Sequence, residues 1–336
     1  MPRALYLILF FMLPASLWGA DLFEPSPEKT TLVRNGETKQ IDTNRGRPII
    51  TLEEEKLADL KIPLDLQSEG YLWIANYRHK KQHWIARVPV DNIHRTLFQV
   101  IDRTARIRNP SQNPIKRAAQ EIEAMPHFHG QLRFQFNEPI LLFSQDSEIS
   151  GPRTPLEQTQ DLLHSAEASR IQGEVFSVPR ALKGDYKLSL VMTSMEEKQD
   201  EISHPKFRRP ATQVLMTLGS EEAKRYLLTE SRTSERNTYN KNYHPIKASC
   251  TTEIFCALDT LNGNSPANGF LFWPHSSEYI LQELRQRNLI DESAPIPSYN
   301  EEIGVDAKIT SKSLFARGVS GTLDCIYFLQ RIIKKK

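Results

Sequence analysis

The stretch His127-Phe-His-Gly-Gln-Leu-Arg-Phe-Gln-Phe136 alternates apolar and polar side chains. Phe128, Leu132, Phe134 and Phe136 fall on one face; His127, His129, Gln131, Arg133 and Gln135 fall on the other. A period of two is the mark of a strand, here with an apolar face on the core and a polar face that begins with two histidines. Asn137-Glu138-Pro139 then reads as a turn and Ile140 to Ser144 as the returning strand, which predicts a hairpin.

Working outward, short strands are expected at Leu162–Ala168, Glu174–Val178 and Tyr186–Met192, the last after a Gly184-Asp185 turn. Tyr71 to Ile101 reads as strands and a helix, with Trp73, Ile74, Trp84 and Ile85 in the core. Ile115, Ala119, Ile122 and Met125 make one face of a helix that Pro126 closes. Glu221 to Leu228 is helical and is followed by a polar loop over Thr229–Tyr239. Asp21 to about Ser68 is polar and rich in turn residues, an arm with one short helix near Leu52–Leu60. No internal repeat is present.

The segment after Tyr243 carries chemistry. Pro245 delays any helix. Beyond Cys250, Ile254, Phe255, Leu258 and Leu261 recur at helical spacing, and Gly263 supplies a stop. Glu253 follows Cys250 by three residues, where the partner of a capping box belongs. Cys250 is therefore expected at the N-cap or first turn. The positive end of a helix favours a thiolate and lowers the thiol pKa. Its free N–H groups suit the oxyanion formed when a thiolate attacks a carbonyl, and a neighbouring imidazole would take the thiol proton. The bland alternative, a cysteine that caps a helix and packs inertly, fits the pattern equally well. Cys256 points to another face and reads as core.

The N-terminus has the order of a secretory signal: Arg3, an apolar run from Ala4 to Leu13, Pro14, then small residues up to Ala20. The run is too short for an ordinary transmembrane helix. The expected organisation is a signal peptide over 1–20, a polar arm over 21–70, and one thiol domain with a C-terminal extension over 71–336. A net charge of +2 with a quarter of the residues charged argues against a nucleic-acid binder. Three cysteines, Cys250, Cys256 and Cys325, are an odd count for an exported chain. A bridge between Cys256 and Cys325 would leave Cys250 free; the favoured alternative is that the two stay apart as reduced core residues.

Three stretches resemble a family of exported bacterial proteins that share the periplasmic domain of the lipoprotein N-acyltransferase Lnb. They are HGQLRFQF from His129, DLLHSAEAS over Asp161–Ser169 with the run Ala181-Leu-Lys-Gly-Asp-Tyr186, and SCTTEIF over Ser249–Phe255. The last is similar to the family's Asn-Cys-Thr-Thr helix start, with Ser249 in place of Asn. The resemblance implies an α+β, permuted papain-like core, an antiparallel sheet packed on the helix that carries the cysteine. It implies Cys250 as nucleophile and His129 as general base. Glu167 and Ser144, on adjacent predicted strands, are both candidates to orient the base. Arg133, Thr251 and Thr252 are candidates for substrate binding, with an ordinary surface ion pair the alternative for Arg133. His127 and His244 are rival bases. His127, His129 and Cys250 lack a fourth ligand and the spacing of structural zinc sites, so neither metal nor cofactor is expected.

The function expected from this is a periplasmic thiol-dependent acyltransferase or hydrolase working through a Cys250 thioester. A non-catalytic envelope protein that keeps the fold for binding, and a cell-wall peptidase or amidase, are the alternatives. Expected partners are an acyl-bearing lipid, lipoprotein or peptide, with a membrane protein as a further candidate and no nucleic acid.

Overall fold

Phe128 to Ser144 form one strand of 17 residues, so the turn expected at Asn137-Glu138-Pro139 is a bend inside it. The computed structural model describes residues 21–34, 36–103, 111–113, 116–117, 128–204, 209–266, 277–293 and 296–306. The described strands are β1 (Thr31–Arg34), β2 (Glu37–Gln40), β3 (Ile50–Thr51), β4 (Leu72–His79), β5 (Gln82–Val88), β6 (Ile93–Asp102), β7 (Phe128–Ser144), β8 (Glu157–Ser169), β9 (Tyr186–Thr193), β10 (Ala211–Leu215) and β11 (Asn242–Tyr243). The helices are α1 (Pro27–Thr30), α2 (Glu54–Asp59), α3 (Val178–Leu182), α4 (Met195–Ser203), α5 (Ser220–Asn237), α6 (Cys250–Leu261), α7 (Ser277–Gln286) and α8 (Tyr299–Glu302).

Among the described residues the expected papain-like core is absent. Strands β4, β5, β7, β8 and β9 close on themselves as a five-stranded mixed barrel, and the other strands flank it. Two bends make closure possible. Pairing of β7 with β8 slips between Gln135 and Ile140, around Pro139, which has no N–H to give a ladder. Below the bend β7 pairs with β6; above it β7 pairs with β5. In β4 the register shifts between Ile74 and Tyr77, where Asn76 takes φ of 65°. The Asn76 side chain holds that conformation by donating to the carbonyls of Phe23 and Pro48. Past this bulge β4 reaches β9, with Arg78 opposite Thr193 in a parallel contact that seals the ring.

Alternation along β4 and β5 separates two apolar layers. Leu72, Ile74, Tyr77, Trp84 and Ala86 join the main core with Phe98, Phe134, Tyr226 and Phe255. Trp73, Ala75 and Ile85 face a second cluster built with Phe23, Leu52, Leu57, Leu60 and Ile62. The polar N-terminal segment is thus packed onto the barrel, its apolar residues being too few and scattered to show a period.

Other expectations also change. Between Tyr71 and Ile101 there are only strands, and Glu174–Val178 is not a strand. The loop expected over Thr229–Tyr239 is mostly helix: α5 runs on to Asn237 and buries Glu230, Ser231 and Ser234. The signal segment, His127, Cys325 and, apart from Lys116 and Arg117, the helix expected over Ile115–Met125 lie outside the described residues. Among those residues no helix is long and apolar enough to cross a membrane.

Candidate functional site

Helix α6 begins at Cys250 because Ser249 caps it. Ser249 has extended φ and ψ, and its hydroxyl accepts from the Thr252 N–H at 3.2 Å. Glu253 lies one position past the capping-box site and pairs with Lys241 at 2.6 Å. Gly263, at φ 71°, follows the last turn.

The helix enters a seam between two strands. Register pairing of β7 with β8 stops at Leu132 and His164. Beyond that point the start of β7 pairs with β6, while the end of β8 pairs with β9. Helix α6 packs against both β7 and β8. Gly130 permits the approach: a Cβ there would lie 3.0 Å from the Thr251 hydroxyl and 3.2 Å from the Phe98 ring. The Cys250 sulfur lies 3.8 Å from the Phe128 carbonyl and receives the Gly130 N–H. It therefore sits against the backbone on both sides of His129.

The imidazole of His129 faces charge. Its Nε2 lies 3.3 Å from Glu167 Oε1, outside hydrogen-bond geometry. Glu167 also accepts from Lys198 at 2.6 Å and from the Ser165 hydroxyl at 3.2 Å. Arg103 lies 3.5 Å from Glu167 and is bound by Glu201 at 2.7 and 2.8 Å. His129, Glu167, Lys198, Arg103 and Glu201 line a cleft of about 860 Å³, as do Tyr243 and Phe176.

Burial, then Arg103, hold the imidazole well below its usual range, and the pull of Glu167 does not reverse this. Burial would raise the Glu167 carboxyl; Lys198, His129 and Arg103 together keep it well below the usual carboxylate range. Burial pushes the Cys250 thiol up, and the Gly130 N–H and Arg103 only partly offset that. Burial, with the residue 3 % exposed, thus works against the lowered thiol pKa expected from the helix terminus. Native Cys250 should therefore react with iodoacetamide at pH 7 roughly tenfold or more slowly than in urea. Mass spectrometry of the labelled peptide reads the ratio, and rapid native labelling at pH 6 would contradict it.

The structure thus gathers Cys250, His129 and Glu167 around one seam, without a hydrogen bond between thiol and imidazole. It does not bring in the rest. Ser144 lies at the far end of β7 opposite Trp84. Arg133 is held by Asp161 and Glu302 and does not line the cleft. Thr251 and Thr252 are buried where α6 meets β7 and its own cap. His244 Nδ1 accepts from the N–H groups of Ile246 and Lys247 in its loop. Cys256 is half-buried on α6. Among the described residues no group of three or more His, Cys, Asp or Glu is arranged to hold a metal.

Comparison with family models, with curated proteins and with solved structures finds no match.

Sequence reasoning missed Arg103, Lys198 and Glu201. Arg103 follows the last residue of β6, and the other two sit in the charged run of α4. Nothing local sets such residues apart from a solvated surface; only closure of the barrel brings them to His129.

Proposed function

We propose that the protein is a thiol-dependent acyltransferase or hydrolase, with Cys250 as nucleophile, His129 as base and Glu167 as the group that orients the base. One observation carries this: the Cys250 sulfur lies against the backbone flanking His129, whose ring lies 3.3 Å from the Glu167 carboxylate, both of these lining a cleft. The resemblance of Ser249–Phe255 and His129–Phe136 to the Lnb periplasmic family supports the same reading. The signal-like order of Arg3 to Ala20 supports a periplasmic site of action.

The reaction begins with Cys250 turning from the Phe128 carbonyl toward the imidazole. His129, neutral at rest, takes the thiol proton as sulfur attacks an acyl carbonyl. First-turn N–H groups of α6 face the developing oxyanion. The C–O or C–N bond to the leaving group breaks, and His129 returns the proton to that group. Water or an amine then attacks the thioester, gives its proton to His129, and the thiol is regenerated.

The test is acyl transfer from p-nitrophenyl esters of graded chain length, followed by p-nitrophenol release and intact mass. Wild type should gain one acyl mass on Cys250, and Cys250→Ala none. His129→Gln should slow acylation about 10²–10⁴-fold. Because the imidazole is held below its usual range, the wild-type rate should stay level as pH falls through 6.5. Absence of the adduct in wild type between pH 6 and 9 would end the reading. It would favour a binding protein that retains the fold, which the burial of Cys250 behind the cleft also suits.

A further inference from the structure

The cleft in front of His129 holds more positive than negative side chains, seven Lys and Arg against four Asp and Glu. Most of the cations already have a carboxylate. Arg103 has Glu201, Lys198 has Glu167, Arg78 lies 3.0 Å from Glu197, and Arg45 lies 3.2 Å from Asp42.

Arg170 differs. Its half-buried side chain makes no hydrogen bond or ion pair with any described residue, and Arg45 and Arg103 are like-charged neighbours. Arg78 shares the electrostatic surroundings of Arg170, namely Arg45, Asp42 and Glu167. The buried Nε–H of Arg78 donates to nothing among the described residues. Glu167 and Asp42 attract it without forming an ion pair, Arg45 and Arg103 oppose them, and a desolvated guanidinium left without a direct partner is unfavourable unless a ligand supplies the anion. Burial, then Arg45, lower the Arg170 pKa, the direction that a bound anion would reverse.

We propose that the cleft binds a phosphate group, held by Arg170 together with Arg45 and the Nε–H of Arg78. Guanidinium forks match the oxygens of a phosphate, and the excess of positive side chains exceeds what one carboxylate neutralises. A phospholipid headgroup and a soluble phosphate ester share this chemistry. Binding stands without the thiol reading; the further step, that the acyl donor carries the phosphate, rests on it.

The experiment uses the full chain as wild type, Arg170→Gln, Arg45→Gln and Cys250→Ala. Calorimetry reads binding of inorganic phosphate. Sedimentation reads retention on phosphatidylcholine vesicles with and without phosphatidylglycerol. Wild type and Cys250→Ala should bind phosphate equally, and Arg170→Gln at least about tenfold more weakly, a loss of 1.4 kcal/mol. If Arg170→Gln fails to fold, Arg45→Gln, altered at an exposed side chain, carries the test and should also bind more weakly. Retention only on phosphatidylglycerol vesicles, displaced by phosphate, supports the site with a lipid source. Phosphate binding without such retention supports it with a soluble source. Equal binding by wild type and both arginine variants, no response to either probe, or a preference for acetate or citrate over phosphate would overturn the proposal. Intact phosphate binding with no acyl adduct in wild type would sink the thiol reading alone.

Discussion

Arg133→Ala should destabilise the native state by about 3–5 kcal/mol, with no direct effect on substrate affinity. The guanidinium is 3 % exposed. It donates to both oxygens of Asp161 at 2.9 and 3.1 Å, to both oxygens of Glu302 at 2.7 Å, and to Gln213 at 3.3 Å. Truncation leaves two carboxylates facing each other across an unfilled site. Removing one partner of a buried ion pair costs far more than the intact pair contributes, because the remaining charge is desolvated and alone. Glu302 is 30 % exposed and regains water, which places the loss toward the lower end. Arg133 also lies over the Tyr299 ring, so α8 loses its anchor as well. Urea unfolding at pH 7 reads the effect as a lower midpoint. Arg133→Lys should recover only part, since an ammonium cannot fork to both carboxylates. A loss under about 1 kcal/mol would mean that these carboxylates find other partners.

The second large effect depends on pH. Glu230 is 6 % exposed on α5, and burial, then Glu253, push its carboxyl up to about 7. His164 faces it with Nε2 at 3.7 Å and no hydrogen bond there, and burial pushes the imidazole down to about 4. Tyr226 holds the other ring nitrogen at 2.9 Å, and Arg236 opposes the Glu230 shift. At pH 6 the pair is therefore a protonated carboxyl beside a neutral imidazole.

Native Glu230 keeps a proton that the unfolded chain has released between pH 4.5 and about 7. Its contribution is complete below 4.5, lost as pH rises to 7, and amounts to about 3 kcal/mol. His164 has the opposite sign: its contribution is complete above 6.5 and lost as pH falls toward 4. In wild type the two slopes cancel over much of the interval. Glu230→Gln removes one of them. The variant should match wild type near pH 4 and exceed it by up to about 3 kcal/mol at pH 8. Urea titrations at several pH values measure this. A constant difference between the two proteins across pH would show that Glu230 does not titrate in this range.

How far the sequence could be read follows from the range of each interaction. The start of β7 was legible because alternation is local, as was the start of α6, where Ser249 and the spacing of Ile254, Phe255 and Leu258 act within a few turns. The role of the polar face of β7 was not legible. Arg133 and Gln131 look like surface residues, and their partners come from β8, β6, β10 and α8. Asn137-Glu138-Pro139 has the composition of a turn, but β6, β5 and β8 pair around it and keep the chain extended. The end of α5 is poor in strong helix formers. It stays helical because Ser234 donates to the Leu190 carbonyl at 2.6 Å and that face packs on the barrel. Barrel closure depends on a parallel contact between β4 and β9, for which no local pattern exists. The site divides in the same way: Cys250 and His129 announce themselves, whereas Arg103, Lys198 and Glu201 do not.

Barrel closure also governs how copies of the chain meet. An open sheet ends in rows of unpaired N–H and C=O groups that recruit strands from other molecules and seed fibrils. Here five strands have no such margin, and the flanking strands are short or covered. At β10 the Ala211 N–H goes to the Asn300 side chain, and the Leu215 carbonyl accepts from Asp291. At the other side β11 is only two residues long, as is β3 beside β4. Among the described residues the main sheet thus offers a neighbouring copy little on which to template strand addition.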